Sequence, residues 1–513
     1  MAFTKLLQLG FPTSKVSGLT FACVTILLAG LNVYVAVHLA YNGDFWEHAA
    51  AVRALAADIL NPRHPILNID AKHHLFTPFH IITACLSKIS GLSPTRALSV
   101  WGVINTTLFC LSVFLFCHRF FDRDKATTIA LLALCLTLFG WGGHVWFFSG
   151  FLSIRAFAFI APYPSTTCFA LMLFALPLLD RWLATGRLVY LVCFLLAYSF
   201  VGLTHQITFV AMSVVAAAIC GPKLLAFPKR SFMAAMVAVF TFLVILWWPY
   251  YSVIELAGNH REFTDNNNVM FVNVVERLTP ALICLPAMLW YRRIGSSAVI
   301  LLSFFGLVLC YLAGYMGWQP MLGRQISYVA FFGHLITATT IVYLIQQIRR
   351  RFRTFGILKR ISLLPIALVI FVVLLPMFNY SELARWNRTM ENQRQAVPSI
   401  KLLANELNHD EVVIAPINIS FEIPAFSGKL IASRAALAFV PDHDLRRGLL
   451  EGLCNQQMEY DDALLLINEY KASKLLVPDT CKLSDFWFTT ENLKMAFHGN
   501  FNSLKLFDIA IQN

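Results

Sequence analysis

One carboxylate, Asp44, leads the stretch Gly43-Asp44-Phe45-Trp46-Glu47-His48, at the point where a long apolar run gives way to polar sequence. If helix continues from Asp44, Glu47 and His48 follow at i+3 and i+4 and share its face. A carboxylate in such company can serve as a general base at a membrane surface. The competing reading is that Asp44 caps the helix beginning at Phe45, a role worth about 1 kcal/mol. His73 and His74 precede Phe76-Thr77-Pro78, where the proline marks a helix start. Adjacent imidazoles on a helix or extended chain diverge, so at most one faces the site, and His74 is the candidate. His205 lies in Thr204-His205-Gln206, at a tight turn between two apolar runs. Arg155 and Arg324 are cations on the side of the membrane where positive charge is disfavoured, so each calls for a partner. An acid would serve, and so would a lipid-linked phosphate, which suits guanidinium geometry. A polar cluster from Glu255 to Asp265, with His260, Arg261 and Glu262, precedes Asn266-Asn267-Asn268 and reads as a solvated loop or a mobile gate. No sequence spacing dictates a metal, although His48, His74 and Asp44 together would admit one.

These residues need a scaffold, and composition says which. The chain has 513 residues, 58% hydrophobic and 13% charged, against about 25% charged in soluble domains. It therefore reads as a polytopic α-helical membrane protein, and a soluble enzyme is excluded. The opening apolar run, 16–40, exceeds the roughly 7 to 15 residues of a signal-peptide core and lacks a cleavage pattern, so it is expected to be a retained span. The net charge of +12 is uneven. From Ser381 onward there are 13 Lys+Arg against 17 Asp+Glu, which leaves 27 basic and 11 acidic residues in 1–380. Basic loops beside spans account for the excess, so no nucleic-acid partner is expected.

Apolar runs at 17–40, 98–117, 126–147, 164–180, 187–204, 207–220, 231–250, 278–291, 296–315, 326–346 and 362–379 give about 11 spans. Basic clusters at Arg119/Arg123/Lys125, Arg181/Arg187, Lys223/Lys229/Arg230, Arg292/Arg293 and Arg349–Arg353 with Lys359/Arg360 follow every second span. That alternation places the N-terminus in the cytoplasm and the tail outside. A multi-span membrane domain, 1–380, thus carries a long first outer loop, 41–97, within which Leu75 to Leu92 forms a short helix at the outer surface. The remainder, 381–513, is an extracytoplasmic α/β domain. Strands are expected near 411–416, 429–433, 474–477 and 504–509, with helices near 393–407, 444–453 and 461–470. Ten cysteines lie in or beside apolar runs, whereas Cys454 and Cys481 stand in the tail and are expected to pair.

With Asp44 directly after the first span, a long first outer loop, about ten further spans and a terminal soluble domain, the chain resembles the GT-C superfamily of membrane glycosyltransferases. The resemblance implies transfer of a sugar from a polyprenyl-phosphate-linked donor to a glycan, lipid or protein acceptor on the extracytoplasmic face. It carries the general base onto Asp44, with Glu47, His48, His74, Arg155, His205 and Arg324 as substrate-binding candidates. Many members place two adjacent acids in that loop. Here the second, Glu47, comes three residues later, so no cofactor is required, although the arrangement admits a divalent metal. The expected setting is a bacterial inner membrane. The alternatives are a lipid-linked glycan polymerase or ligase, which would use similar residues, and a non-enzymatic lipid or solute transporter. Against the transporter stands the lack of matching halves with interrupted spans.

Overall fold

The structure, a computed structural model, describes residues 15–41, 43–142, 145–146, 148–224, 226–258, 267–291, 298–351, 380–417, 422–433, 439–440, 442–490, 493–501 and 503–511. The expected span at 362–379 lies outside them, as do Arg292/Arg293, Lys359/Arg360 and the loop residues His260, Arg261, Glu262 and Asp265.

Among the described residues, seven helices are long and apolar enough to cross a membrane: Gly18–His38, Pro94–Phe120, Pro164–Thr185, Gln206–Lys223, Pro228–Leu246, Ala298–Tyr315 and Pro320–Ile348. Leu188–Thr204 and Ala281–Tyr291 are shorter apolar helices, and Arg123–Phe139 is a largely buried helix charged in its first turn. Many apolar side chains on the long helices point outward, among them Phe232, Phe240, Leu243, Leu309 and Leu312. Such helices shed water on every side, as membrane spans do.

The chain divides into two compact units. The first comprises residues 1–34, 102–246 and 263–386. At one end of its helices, Asp180 makes ion pairs with both Arg119 and Lys223, and the Tyr343 hydroxyl donates to Asp122 at 2.9 Å. Elsewhere Asn105 donates to the carbonyl of Ala161 at 2.7 Å and accepts from Thr167 at 2.8 Å, which ties the 148–163 segment to two long helices. Gly142 passes so close to Glu276 that a Cβ would lie 1.7 Å from its carbonyl oxygen, hence the glycine.

The second unit comprises residues 35–101, 247–262 and 387–513. Its centre is a five-stranded sheet in the order β2-β1-β3-β5-β4, built from β1 (Val412–Ile414), β2 (Lys429–Leu430), β3 (Ala472–Pro478), β4 (Leu493–Phe501) and β5 (Leu504–Ile511). β1 runs parallel to both neighbours, whereas β5 is antiparallel to β3 and β4. Along β1 and β3 successive side chains enter opposite cores. Val412, Ile414, Leu475 and Val477 face one, and Val413 and Leu476 the other. Burial on both faces explains why these strands read as unbroken apolar runs rather than alternating ones. Four expected strands are present, and β4 is one that the sequence reading lacked. Cys454 and Cys481 form the expected disulfide.

The 41–97 segment belongs to this same unit. Gly43, at φ +60, makes the turn into the Phe45–Ala57 helix. The helix expected between Leu75 and Leu92 is Pro78–Ser90, with Thr77 extended before it, Pro78 in its first turn and Gly91 in the left-handed conformation at its end. The two helices pack through Ala51, Val52, Leu55, Phe76 and Ala84. Between them, residues 64–67 add to the sheet edge. Leu67 bridges Leu430 in parallel, and the Leu430 N–H donates to the Ile66 carbonyl at 2.8 Å.

Candidate active site

Asp44 stands exposed at the head of the Phe45–Ala57 helix. Its backbone is helical, and its side chain makes no capping bond to that helix, so the capping role weighed from sequence is not the one it performs. One turn on, Glu47 is only 7% exposed and accepts a hydrogen bond from the Ser433 hydroxyl at 3.0 Å. Burial, and next the negative charge of Asp44, push the Glu47 carboxyl up to about 8, outweighing the lowering effect of Ser433. The two acids thus differ in environment, one open to solvent and one buried and held largely neutral near pH 7.

His48 is buried, and its Nδ1 lies 2.9 Å from Nε2 of His80, whose Nδ1 lies 2.8 Å from the Thr77 hydroxyl. This run links the Asp44 helix to the Pro78–Ser90 helix. His73 and His74 do not diverge as expected for a helix or extended chain. They lie in an irregular turn where their rings stack with centroids 4.8 Å apart, and His73 meets His64 edge to face at 4.8 Å. Burial lowers His64 to about 3 and His74 to about 4, and holds His73 and His80 well below the ordinary imidazole range, so all four are neutral at physiological pH. His64, His80 and Ser433 were missed by the sequence reading. His64-Pro65 was visible as a punctuating dipeptide, but nothing near Glu47 pointed to Ser433, 386 positions away.

The remaining candidates belong to the first unit. His205 accepts at Nδ1 from the Thr208 hydroxyl at 2.7 Å, and that hydroxyl also bonds to Tyr328. Tyr328 follows Arg324 by one helical turn, so these contacts bring His205 and Arg324 into one polar cluster. Arg324 donates from Nε to Asn267 Oδ1 at 2.9 Å and lies 5.3 Å from the centre of the Phe148 ring. Arg155 is buried on the short Ile154–Ile160 helix.

The described residues do not compose a metal centre, since no three His, Cys, Asp or Glu among them are placed to hold an ion. In addition, the carboxyl nearest Asp44 in sequence is neutral and already bonded to a hydroxyl.

No protein-family profile matches the chain, and no curated protein matches it by sequence. Among solved structures it is similar to the archaeal oligosaccharyltransferase AglB from Archaeoglobus fulgidus in complex with an inhibitory peptide and a dolichol-phosphate. The likeness covers 91% of this chain and 70% of that one, at 11% identity and a TM-score of 0.51. The apo form of the Archaeoglobus fulgidus oligosaccharyltransferase matches at 12% identity over 90% and 69%, with a TM-score of 0.50. Its complex with Zn and sulfate matches at 12% over 89% and 68%, also with a TM-score of 0.50. At such identities the likeness is one of fold. The chain shares the fold of those oligosaccharyltransferase structures.

Proposed function

We propose that the chain transfers a glycosyl group from a polyprenyl-phosphate-linked donor to an acceptor on the extracytoplasmic face of a membrane, with Asp44 as general base. The observation that carries this reading is the state of Asp44: an exposed carboxylate at a helix head, without a capping bond, in the fold of an oligosaccharyltransferase. Asp44 would take the proton of an acceptor hydroxyl or amide as that atom attacks the anomeric carbon. The bond from that carbon to the carrier phosphate would break, and the phosphate would leave as an anion. Arg324 and Arg155 are assigned to the donor phosphate, where a preformed cation in a water-poor site stabilises the charge of departure. Glu47, His48, His74 and His205 are assigned to holding substrate or the elements that carry Asp44.

The finer organisation is part of the same proposal: about 11 spans, a multi-span membrane domain at 1–380, an extracytoplasmic domain at 381–513 and a bacterial inner-membrane setting. The Asp180 pairs with Arg119 and Lys223 support it, because they draw together three loops that the basic clusters assign to the cytoplasm. A peptide acceptor is a second reading, favoured by the likeness to AglB in complex with an inhibitory peptide. The test is to incubate the purified protein with radiolabelled polyprenyl-phosphate sugars and with glycan, lipid and peptide acceptors. Release of the lipid phosphate together with label in one acceptor is expected. No transfer to any of them, with donor still bound, would sink the assignment.

A further inference from the structure

Arg53 and Lys429 are buried cations, 8% and 1% exposed. Both donate to backbone oxygens: Arg53 Nη2 to the Gly428 carbonyl at 2.9 Å, and Lys429 Nζ to the His64 carbonyl at 2.6 Å. Among the described residues neither makes an ion pair. The carboxylate whose charge reaches both is Asp410, which is exposed and already bound to Arg63 at 2.8 Å. Two cations so close to each other and so withdrawn from water are expensive without a counter-charge.

The neighbouring donors repeat the pattern. Among the described residues, Nε and Nη1 of Arg53 are buried without a partner, as are Nε2 of His64 and Nε2 of His73. The tautomers of both histidines follow from their other nitrogen. His64 Nδ1 accepts the N–H of Leu67 at 2.9 Å, and His73 Nδ1 accepts that of Leu75 at 3.3 Å. Each Nε2 therefore carries a hydrogen and is a donor. Three side chains of the cluster thus present buried hydrogens that no acceptor among the described residues receives, with the Lys429 ammonium beside them, which is unusual for buried polar groups.

We propose that Arg53, Lys429, His64 and His73 form a phosphate-class oxyanion site at the seam where residues 64–67 join the edge of the sheet beside β2. An oxyanion accepts several hydrogen bonds at once and suits a guanidinium fork next to an ammonium. Burial, and next the charge of Arg53, lower Lys429 to about 8, burial lowers Arg53 to about 10, and a bound anion would raise both. Occupancy would lock the Phe45–Ala57 helix to the sheet, since Arg53 is on that helix and Lys429 on β2.

The test is the melting temperature of the purified full chain in inorganic phosphate, against chloride matched for ionic strength. A second arm uses a sugar-free polyprenyl monophosphate in nanodiscs. A rise with inorganic phosphate marks a soluble anion as the ligand, and a rise with the lipid alone marks a headgroup; either supports the site when Arg53→Gln diminishes it, because lipid phosphate held at Arg324 and Arg155 would not depend on Arg53. Arg53→Gln should weaken the apparent phosphate affinity at least tenfold, while Lys429→Arg, which keeps the charge, should preserve it and covers the case in which Arg53→Gln fails to fold. Asp44→Asn should leave the rise untouched, so failure of the catalytic assignment is read separately. No rise beyond that in chloride in either arm, or equal rises in parent and Arg53→Gln, would overturn the proposal.

Discussion

Glu47 and Asp44 sit one helical turn apart, and the different surroundings of their carboxyls make each a separate experiment. Asp44→Asn keeps the shape and removes the base. It should cost about 100-fold or more in turnover, the range of general-base catalysis, with expression and donor binding little changed. Retention of more than roughly a tenth of the rate would show that the carboxylate is dispensable. Glu47 should govern stability. Burial, and next the charge of Asp44, push its folded carboxyl up to about 8 from the ordinary 4.5. The native state therefore holds a proton that the unfolded chain releases between those values, and stability falls as pH rises through 8. Glu47→Gln mimics the neutral acid, so its melting temperature should decline less than that of the parent between pH 6 and 9. Parallel declines in the two proteins would place the alkaline sensitivity elsewhere.

At the scale of elements, the disulfide is the simplest lever. Cys454 and Cys481 close a loop with a sequence separation of 27, so their joint replacement by serine should cost about 3 kcal/mol in stability. Mass mapping without reductant checks the bond, and thermal melts of the double variant check its worth. The pairing was legible because only these two cysteines lie away from apolar runs. So were the β1 and β3 strands, whose apolar runs needed no partner to be recognised, and the Pro78 helix, announced by its proline. β4 escaped because Leu493–Phe501 alternates weakly and is mostly exposed, so its pairing with β5 decides its form. The Glu47 to Ser433 bond and the bridge from Leu67 to Leu430 escaped for another reason. Each joins segments more than 350 positions apart, and no local pattern records which distant strand edge will accept a loop. The place of Asp44 at a helix head was legible, whereas its lack of a capping bond was not.

For the whole molecule, the proposed topology puts the C-terminal domain outside. A cysteine introduced by Lys401→Cys, at an exposed position, in a background with the reactive native thiols blocked, should react with an impermeant maleimide in intact cells. Labelling only after the inner membrane is opened would invert the topology and move the Asp44 site with it. The second unit also has a history written into its connectivity. Residues 41–97 are made early, yet their partners come later: the Trp248 indole donates to the Phe76 carbonyl and the Tyr250 hydroxyl to that of Ile59, and Leu430, later still, supplies the sheet edge. At ordinary elongation rates the ribosome needs roughly tens of seconds to travel from Leu67 to Leu430. Throughout that wait Ile66 and Leu67 lack the sheet edge they will join and stay open to chaperones and proteases. A chain stopped at Tyr380 would lack Leu430 and leave Ile66 and Leu67 without their sheet edge permanently.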